Sequence, residues 1–135
     1  SKETLLHVRR NDYKKFNEEL NIEYYEKALS IMKMKVKNFE YSVFTDDIDW
    51  VKKQKIFNDA KLIHTSSDEP LDVINTFSLM LQNYNFILAN STFSMLASFI
   101  SQKTDSIIIS PYPWFKKSNK DELMDNKWNL IDVSN

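Results

Sequence analysis

Residues 7–13 read HVRRNDY and follow the apolar pair Leu5-Leu6. An imidazole, two guanidinium groups and a carboxylate, from His7, Arg9, Arg10 and Asp12, crowd the end of a short apolar run. Adjacent arginines suit two tasks. They can clamp a phosphate or diphosphate through bidentate, charge-assisted hydrogen bonds. They can also form an ordinary surface salt bridge to Asp12, which is the simpler reading of the motif taken alone.

Further polar clusters recur along the chain: Asp46 and Asp47, then Thr65 to Asp68, then Asn90, Ser91, Thr92 and Ser94, then Ser110, Tyr112 and Trp114. Asn90-Ser91-Thr92 opens a helical pattern, and a helix N-terminus rich in hydroxyls offers N–H donors and a favourable dipole to an anion. The plain reading of the same residues is a helix cap. Asp46 and Asp47 likewise read first as an N-cap and a first-turn charge, and His7 as a core histidine. Asn90-Ser91-Thr92 is also a formal glycosylation sequon, discounted as chance in a chain with so much asparagine. His7 and His64 lack metal-ligand spacing to each other or to carboxylates, so no metal is expected.

The elements that must position these groups alternate. Strands are predicted at residues 4–8, 40–44, 61–64, 85–89 and 106–110. Helical spacing over 23–36 carries Tyr25, Leu29, Met32 and Val36 on one side. A helix is predicted after Thr45 or Asp46, a third begins at Pro70, and a fourth follows Asn90. Runs such as FILA and SIIIS lack polar alternation, so these strands are buried on both faces. Strand–helix alternation of this kind predicts an α/β fold, a Rossmann-like parallel sheet of about five strands with helices on both faces. Ligands in such sheets bind beyond the carboxyl ends of the strands, where all the clusters above fall.

Composition narrows the chemistry. The 135 residues carry a formal net charge of −1, which offers no basic stripe for nucleic acid or an anionic membrane. Cysteine is absent, which excludes disulfides, thiolate metal sites and a cysteine nucleophile. Glycine is absent as well, where average usage would give about nine or ten. That excludes the glycine-rich dinucleotide and P-loop fingerprints, so a bound phosphate must be held by side chains and helix ends. Asparagine is expected to take the left-handed turn positions. No apolar run is long enough for a transmembrane segment, and the opening stretch SKETLL is not expected to be a signal peptide.

The motifs HVRRNDY, YYEKAL, FTDDIDWVKK, ILANSTFSMLASFI and IIISPYPWF, in this order, resemble the family 11 glycosyltransferases, the α-1,2-fucosyltransferases and related enzymes of surface polysaccharides and blood-group glycans. His7, Arg9, Arg10 and Asp12 match every fixed position of the family's His-x-Arg-Arg-x-Asp motif, with Asn11 where many members have glycine. The resemblance covers nearly the whole chain. It implies that residues 1–135 form a single donor-binding domain, the C-terminal half of a GT-B fold, with an N-terminal domain of the same enzyme missing. The implied reaction is inverting transfer of fucose from GDP-fucose, without a metal cofactor, in α-1,2 linkage to a galactose-containing glycan acceptor. The implied catalytic residues are Arg9, Arg10 and Asp12. The implied donor-binding residues are His7, Arg9, Arg10, Asp46, Asp68, Asn90, Ser91, Thr92 and Ser94. Asp12 is either the base that takes the acceptor proton or the partner that orients an arginine. The implied setting is the cytoplasm, peripheral to the inner face of a bacterial membrane. A non-catalytic nucleotide-sugar-binding or partner domain is the alternative. The chain alone is expected to bind donor weakly and not to transfer sugar at a useful rate.

Overall fold

The computed structural model describes residues 2–11, 13–114 and 128–134. Among these, six strands form one sheet: β1 (Thr4–Val8), β2 (Tyr41–Thr45), β3 (Leu62–Thr65), β4 (Asn85–Ile87), β5 (Ile108–Tyr112) and β6 (Asn129–Asp132). Four α-helices interleave: α1 (Ile22–Lys35), α2 (Ile48–Lys53), α3 (Pro70–Met80) and α4 (Thr92–Ser101). The spatial order is β3-β2-β1-β4-β5-β6 and every pairing is parallel. This is the doubly wound order in which the chain first builds outward from β1 through β3, then returns to continue from the other side of β1.

Period-two alternation within the strands explains the two-sided core. Leu6, Val43, Ile87 and Ile109 pack with Tyr25, Leu29 and Met32 of α1 and Val51 of α2. Their neighbours Leu5, Phe44, Phe86 and Ile108 pack on the opposite face with Met80 of α3 and Ala97 of α4. Leu5 and Leu6 are completely buried, and side chains of this size each contribute about 1.5–3 kcal/mol when removed from water. The predicted α/β class with helices on both faces is therefore the observed one.

Several boundaries differ from the sequence reading. The C-terminal WNLIDV contributes a sixth strand, Asn129–Asp132, parallel to β5 at the sheet edge. Only Ile131 in it is well buried, so it lacks the apolar run that marks the inner strands. β5 runs to Tyr112 through Pro111 instead of stopping at Ser110. The β4 ladder ends at Ile109, so Pro111 lies where β5 is paired on one side only. β4 is shorter than predicted, and Leu88 and Ala89 are buried beyond its end. Asn17 and Asn38 hold positive φ, at 55° and 54°, in the left-handed positions that glycine would otherwise take.

Candidate functional site

The register of β1 and β2 sets Val8 opposite Thr45, so Arg9 and Arg10 emerge beside Asp46 and Asp47. The Asp46 carboxylate accepts hydrogen bonds from the backbone N–H of Arg10 at 2.8 Å and of Asn11 at 3.1 Å. The Asn11 side-chain amide donates back to the Asp46 carbonyl. Arg9 Nε stands 3.3 Å from Asp46 Oδ2, an ion pair. Asp47 caps α2 by accepting the Trp50 N–H at 3.2 Å. The same carboxylate lies 3.6 Å from Arg10 Nε and 3.6 Å from Lys14 Nζ. The sequence offered Asp12 as the arginines' partner; Asp12 lies outside the described residues, and among the described residues Asp46 and Asp47 pair with the arginines.

The two arginines part company. Arg10 turns onto Trp50, with its guanidinium carbon 3.9 Å from the ring centroid. Arg9 sits 5.4 Å from the Tyr13 ring and lines a cavity of about 350 Å³. That volume lies in the range of small-ligand sites. The end of β1 gives the cavity His7, Arg9 and Asn11, and β2 with its following turn gives Phe44, Thr45 and Asp46. His64, Ser66, Ser67 and Asp68 come from the end of β3, Val73, Thr76 and Met80 from α3, and Phe93 from α4. The ends of β1, β2 and β3 thus make the cavity polar, with Arg9 its one cation among the described residues and Asp46 and Asp68 its carboxylates, while Phe44, Val73, Met80 and Phe93 supply its apolar surface.

His7 is 5 % exposed, and its Nδ1 has no hydrogen-bond partner among the described residues. Burial, with the nearby Arg9 charge adding to it, holds its pKa down to about 3. The ring is therefore neutral near pH 7, a hydrogen-bonding group and not a cation. The sequence reading of His7 as a core histidine holds for burial, with Nδ1 left without a partner among the described residues. Across the cavity, His64 Nε2 and Thr76 Oγ1 are 3.1 Å apart, and the His64 ring packs on Phe44 with centroids 5.0 Å apart.

The segment Asn90-Ser91-Thr92 serves the framework. Asn90 is fully buried, and its side-chain amide donates to the Glu18 carbonyl at 2.7 Å. Its own carbonyl accepts from the Tyr13 hydroxyl at 2.8 Å. The loop after β1 is thereby fastened across the crevice to the end of β4. Such burial also disposes of Asn90 as a glycosylation acceptor. Ser91 caps α4 by accepting the Phe93 N–H at 3.2 Å. Ser94 is fully buried, with its hydroxyl 3.4 Å from the Ser91 carbonyl, and Thr92 is exposed outside the cavity lining.

Of the residues singled out from sequence, the cavity brings together His7, Arg9, Asp46, Ser66, Ser67 and Asp68. Arg10, Asn90, Ser91 and Ser94 belong to the surrounding framework. Asn11, His64, Thr76 and Phe93 line the cavity but were not singled out. Thr76 carried a signal: it is a polar residue one turn from Val73 and Met80 on the inward side of α3. Among the described residues no cluster of histidine and carboxylate ligands could hold a metal ion. No described helix is long and apolar enough to cross a membrane.

Comparison with known proteins matches residues 1–132 to Glycosyl transferase family 11. The O-antigen biosynthesis glycosyltransferase WbnK of Escherichia coli is 32% identical over 131 residues, covering 93% of this chain and 43% of that protein. The Alpha-1,2-colitosyltransferase of Escherichia coli is 31% identical over 140 residues, covering 94% of this chain and 47% of that protein. The chain thus spans a little under half the length of these curated relatives. No solved structure shows significant similarity to it.

Proposed function

We propose, on the premise that this chain belongs to glycosyltransferase family 11, that it forms the donor-binding part of a sugar-transferring enzyme, and that its cavity receives GDP-fucose or a closely related GDP-sugar. The observation that carries this reading is the placement of Arg9 and of His7, whose buried Nδ1 has no hydrogen-bond partner among the described residues, in the cavity at the carboxyl ends of β1 and β2. That rim is where doubly wound sheets bind nucleotides. The family resemblance and the two relatives support the activity, and the second relative's name supports an α-1,2 linkage.

The roles follow from charge. Cleaving the sugar–phosphate bond develops negative charge on the departing diphosphate. A fixed guanidinium at Arg9 stabilises that charge more in the transition state than in the ground state. Neutral His7 offers the donor a hydrogen bond without adding charge. The diphosphate needs no metal in this reading, because Arg9 supplies the counter-charge. Inversion also needs a base for the acceptor hydroxyl. Asp46 and Asp47 are committed to the loop after β1 and to the α2 cap, which leaves Asp12, the carboxylate the resemblance implies, or a residue of the acceptor-binding part as the base.

Titration of the full-length protein with GDP, GDP-fucose, GDP-colitose and UDP tests this reading. Tight binding of guanine nucleotides with UDP excluded supports it, and transfer to a galactose-terminated acceptor identifies the sugar and the linkage. Donor binding without any transfer would make the protein a nucleotide-sugar-binding module. No nucleotide binding would remove the proposal.

A further inference from the structure

We propose that Asp46 is a positioning residue that aims Arg9, and that it does not itself contact the donor; the inference rests on the cavity being a nucleotide-sugar site. Asp46 lines the cavity, which on its own would suggest a ligand contact. Its bonds say otherwise. The two carboxylate oxygens take the backbone N–H groups of the consecutive residues Arg10 and Asn11, at 2.8 and 3.1 Å. Asn11 closes the ring by donating its side-chain amide to the Asp46 carbonyl. Arg9 Nε lies 3.3 Å from the same carboxylate. One residue at the end of β2 therefore makes four contacts with three successive residues after β1.

The chemistry separates the two roles. A carboxylate facing a diphosphate repels it, so a direct donor contact by Asp46 would oppose binding. A carboxylate beside Nε, in contrast, helps to fix the plane of a guanidinium. A planar fork grips two oxygens at once only when it is aimed. Asp46 also offsets part of the Arg9 charge. If aim matters less than charge, removing Asp46 should tighten anion binding. If aim matters more, removal should weaken it. The two possibilities have opposite signs.

The experiment is a double-mutant cycle in the full-length protein, with GDP affinity measured by titration calorimetry. Asp46→Asn is expected to weaken GDP binding about tenfold when Arg9 is present and less than about twofold in the Arg9→Ala background. Asp46→Glu keeps the charge but displaces the carboxylate by a methylene, so it should weaken binding as Asp46→Asn does. Equal losses with and without Arg9, tighter binding in Asp46→Asn, or a harmless Asp46→Glu would each overturn the proposal. A ligand-free readout stands beside this one. Amide exchange at Arg10 and Asn11 should quicken at least tenfold in both Asp46 variants while core strand amides keep their protection. If the parent binds no GDP, the nucleotide reading fails and amide exchange alone decides whether Asp46 holds the loop after β1: unchanged exchange at both positions overturns it. Should the Asp46 variants not fold, Asn11→Ala opens the same ring from an exposed position and is expected to quicken exchange at Arg10; unchanged exchange there would count against that role.

Discussion

The guanidinium carbon of Arg10 lies 3.9 Å from the centroid of the Trp50 ring. Arg9, its neighbour in sequence, instead lines the cavity. Adjacent residues leaving a strand diverge, and here the divergence separates two roles. Arg10 ties the loop after β1 to α2 through Trp50 and Asp47. Arg9 lines the cavity that, in the proposed reading, receives the diphosphate.

The division has a measurable consequence. Arg10→Lys loses the flat stack on Trp50, and cation–π contacts contribute about 0.5–2 kcal/mol. That variant should lose stability of this order and keep GDP affinity within about twofold. Arg9→Lys should do the reverse. A lost charge-assisted contact of about 1.5–3 kcal/mol means roughly tenfold weaker binding or more, with little change in melting. Thermal melts and GDP titrations of both variants decide it, and weakened binding in Arg10→Lys alone would reverse the assignment.

His7 gives the fold an acid sensitivity. Its pKa falls from 6.5 when exposed to about 3 in the folded chain, chiefly through burial. The unfolded chain therefore takes up this proton first as pH drops. The stabilisation is complete above about pH 6.5 and is lost progressively toward pH 3, at up to about 1.4 kcal/mol per pH unit. Urea unfolding between pH 7.5 and 4.5 should show a steeper loss in the parent than in His7→Asn. Parallel slopes would mean that the ring titrates normally in the folded state.

Much of this arrangement is legible in the sequence, for physical reasons that particular residues make clear. Short apolar runs bounded by polar residues mark the inner strands because burial on both faces leaves no room for polar alternation. Asn17 and Asn38 could be anticipated in left-handed turns once glycine was seen to be absent. The cap at Ser91 follows from local chemistry alone. What escaped the sequence is set by pairing between distant segments. Nothing near Arg10 announces Asp47, because parallel register, and not chain proximity, brings the two strand ends together. β6 escaped because an edge strand needs only one buried side chain in four residues. The hydroxyls of the segment after β4 looked like ligands, yet Ser94 is fully buried. Residue type signals a donor, and only packing decides what it meets.

Tyr13 tests the fastening of the loop across the crevice. Its hydroxyl donates to the carbonyl of the buried Asn90, while its ring lies beneath Arg9. Tyr13→Phe keeps the ring and strands that carbonyl, a loss of about 1–3 kcal/mol. Chemical denaturation should register the full loss, while GDP affinity moves less than about threefold because the Arg9–ring contact persists. Tyr13→Ala removes both and should weaken GDP binding further. If Tyr13→Phe unfolds at the parent's midpoint, the bond to Asn90 contributes nothing to the fold.

Base selectivity is expected to sit at Asp68. The residue is exposed and lines the cavity from the loop after β3, whereas Arg9 lines it from the loop after β1. Guanine presents two neighbouring donors, N1–H and the 2-amino group, which a carboxylate can accept together. Adenine presents an acceptor at N1, which a carboxylate repels. Asp68→Asn exchanges one acceptor oxygen for a donor and removes the charge. It should cut the preference for GDP over ADP about tenfold or more, the equivalent of one charge-assisted hydrogen bond. Stability should stay within about 0.5 kcal/mol, as is usual for exposed positions. Competition titrations with GDP, ADP and UDP against parent and variant measure the ratio directly. A ratio unchanged in Asp68→Asn would move base reading to Ser66 and Ser67, the remaining cavity-lining residues of the loop after β3. A GDP loss matched equally for ADP would mean that Asp68 shapes the mouth without reading the base.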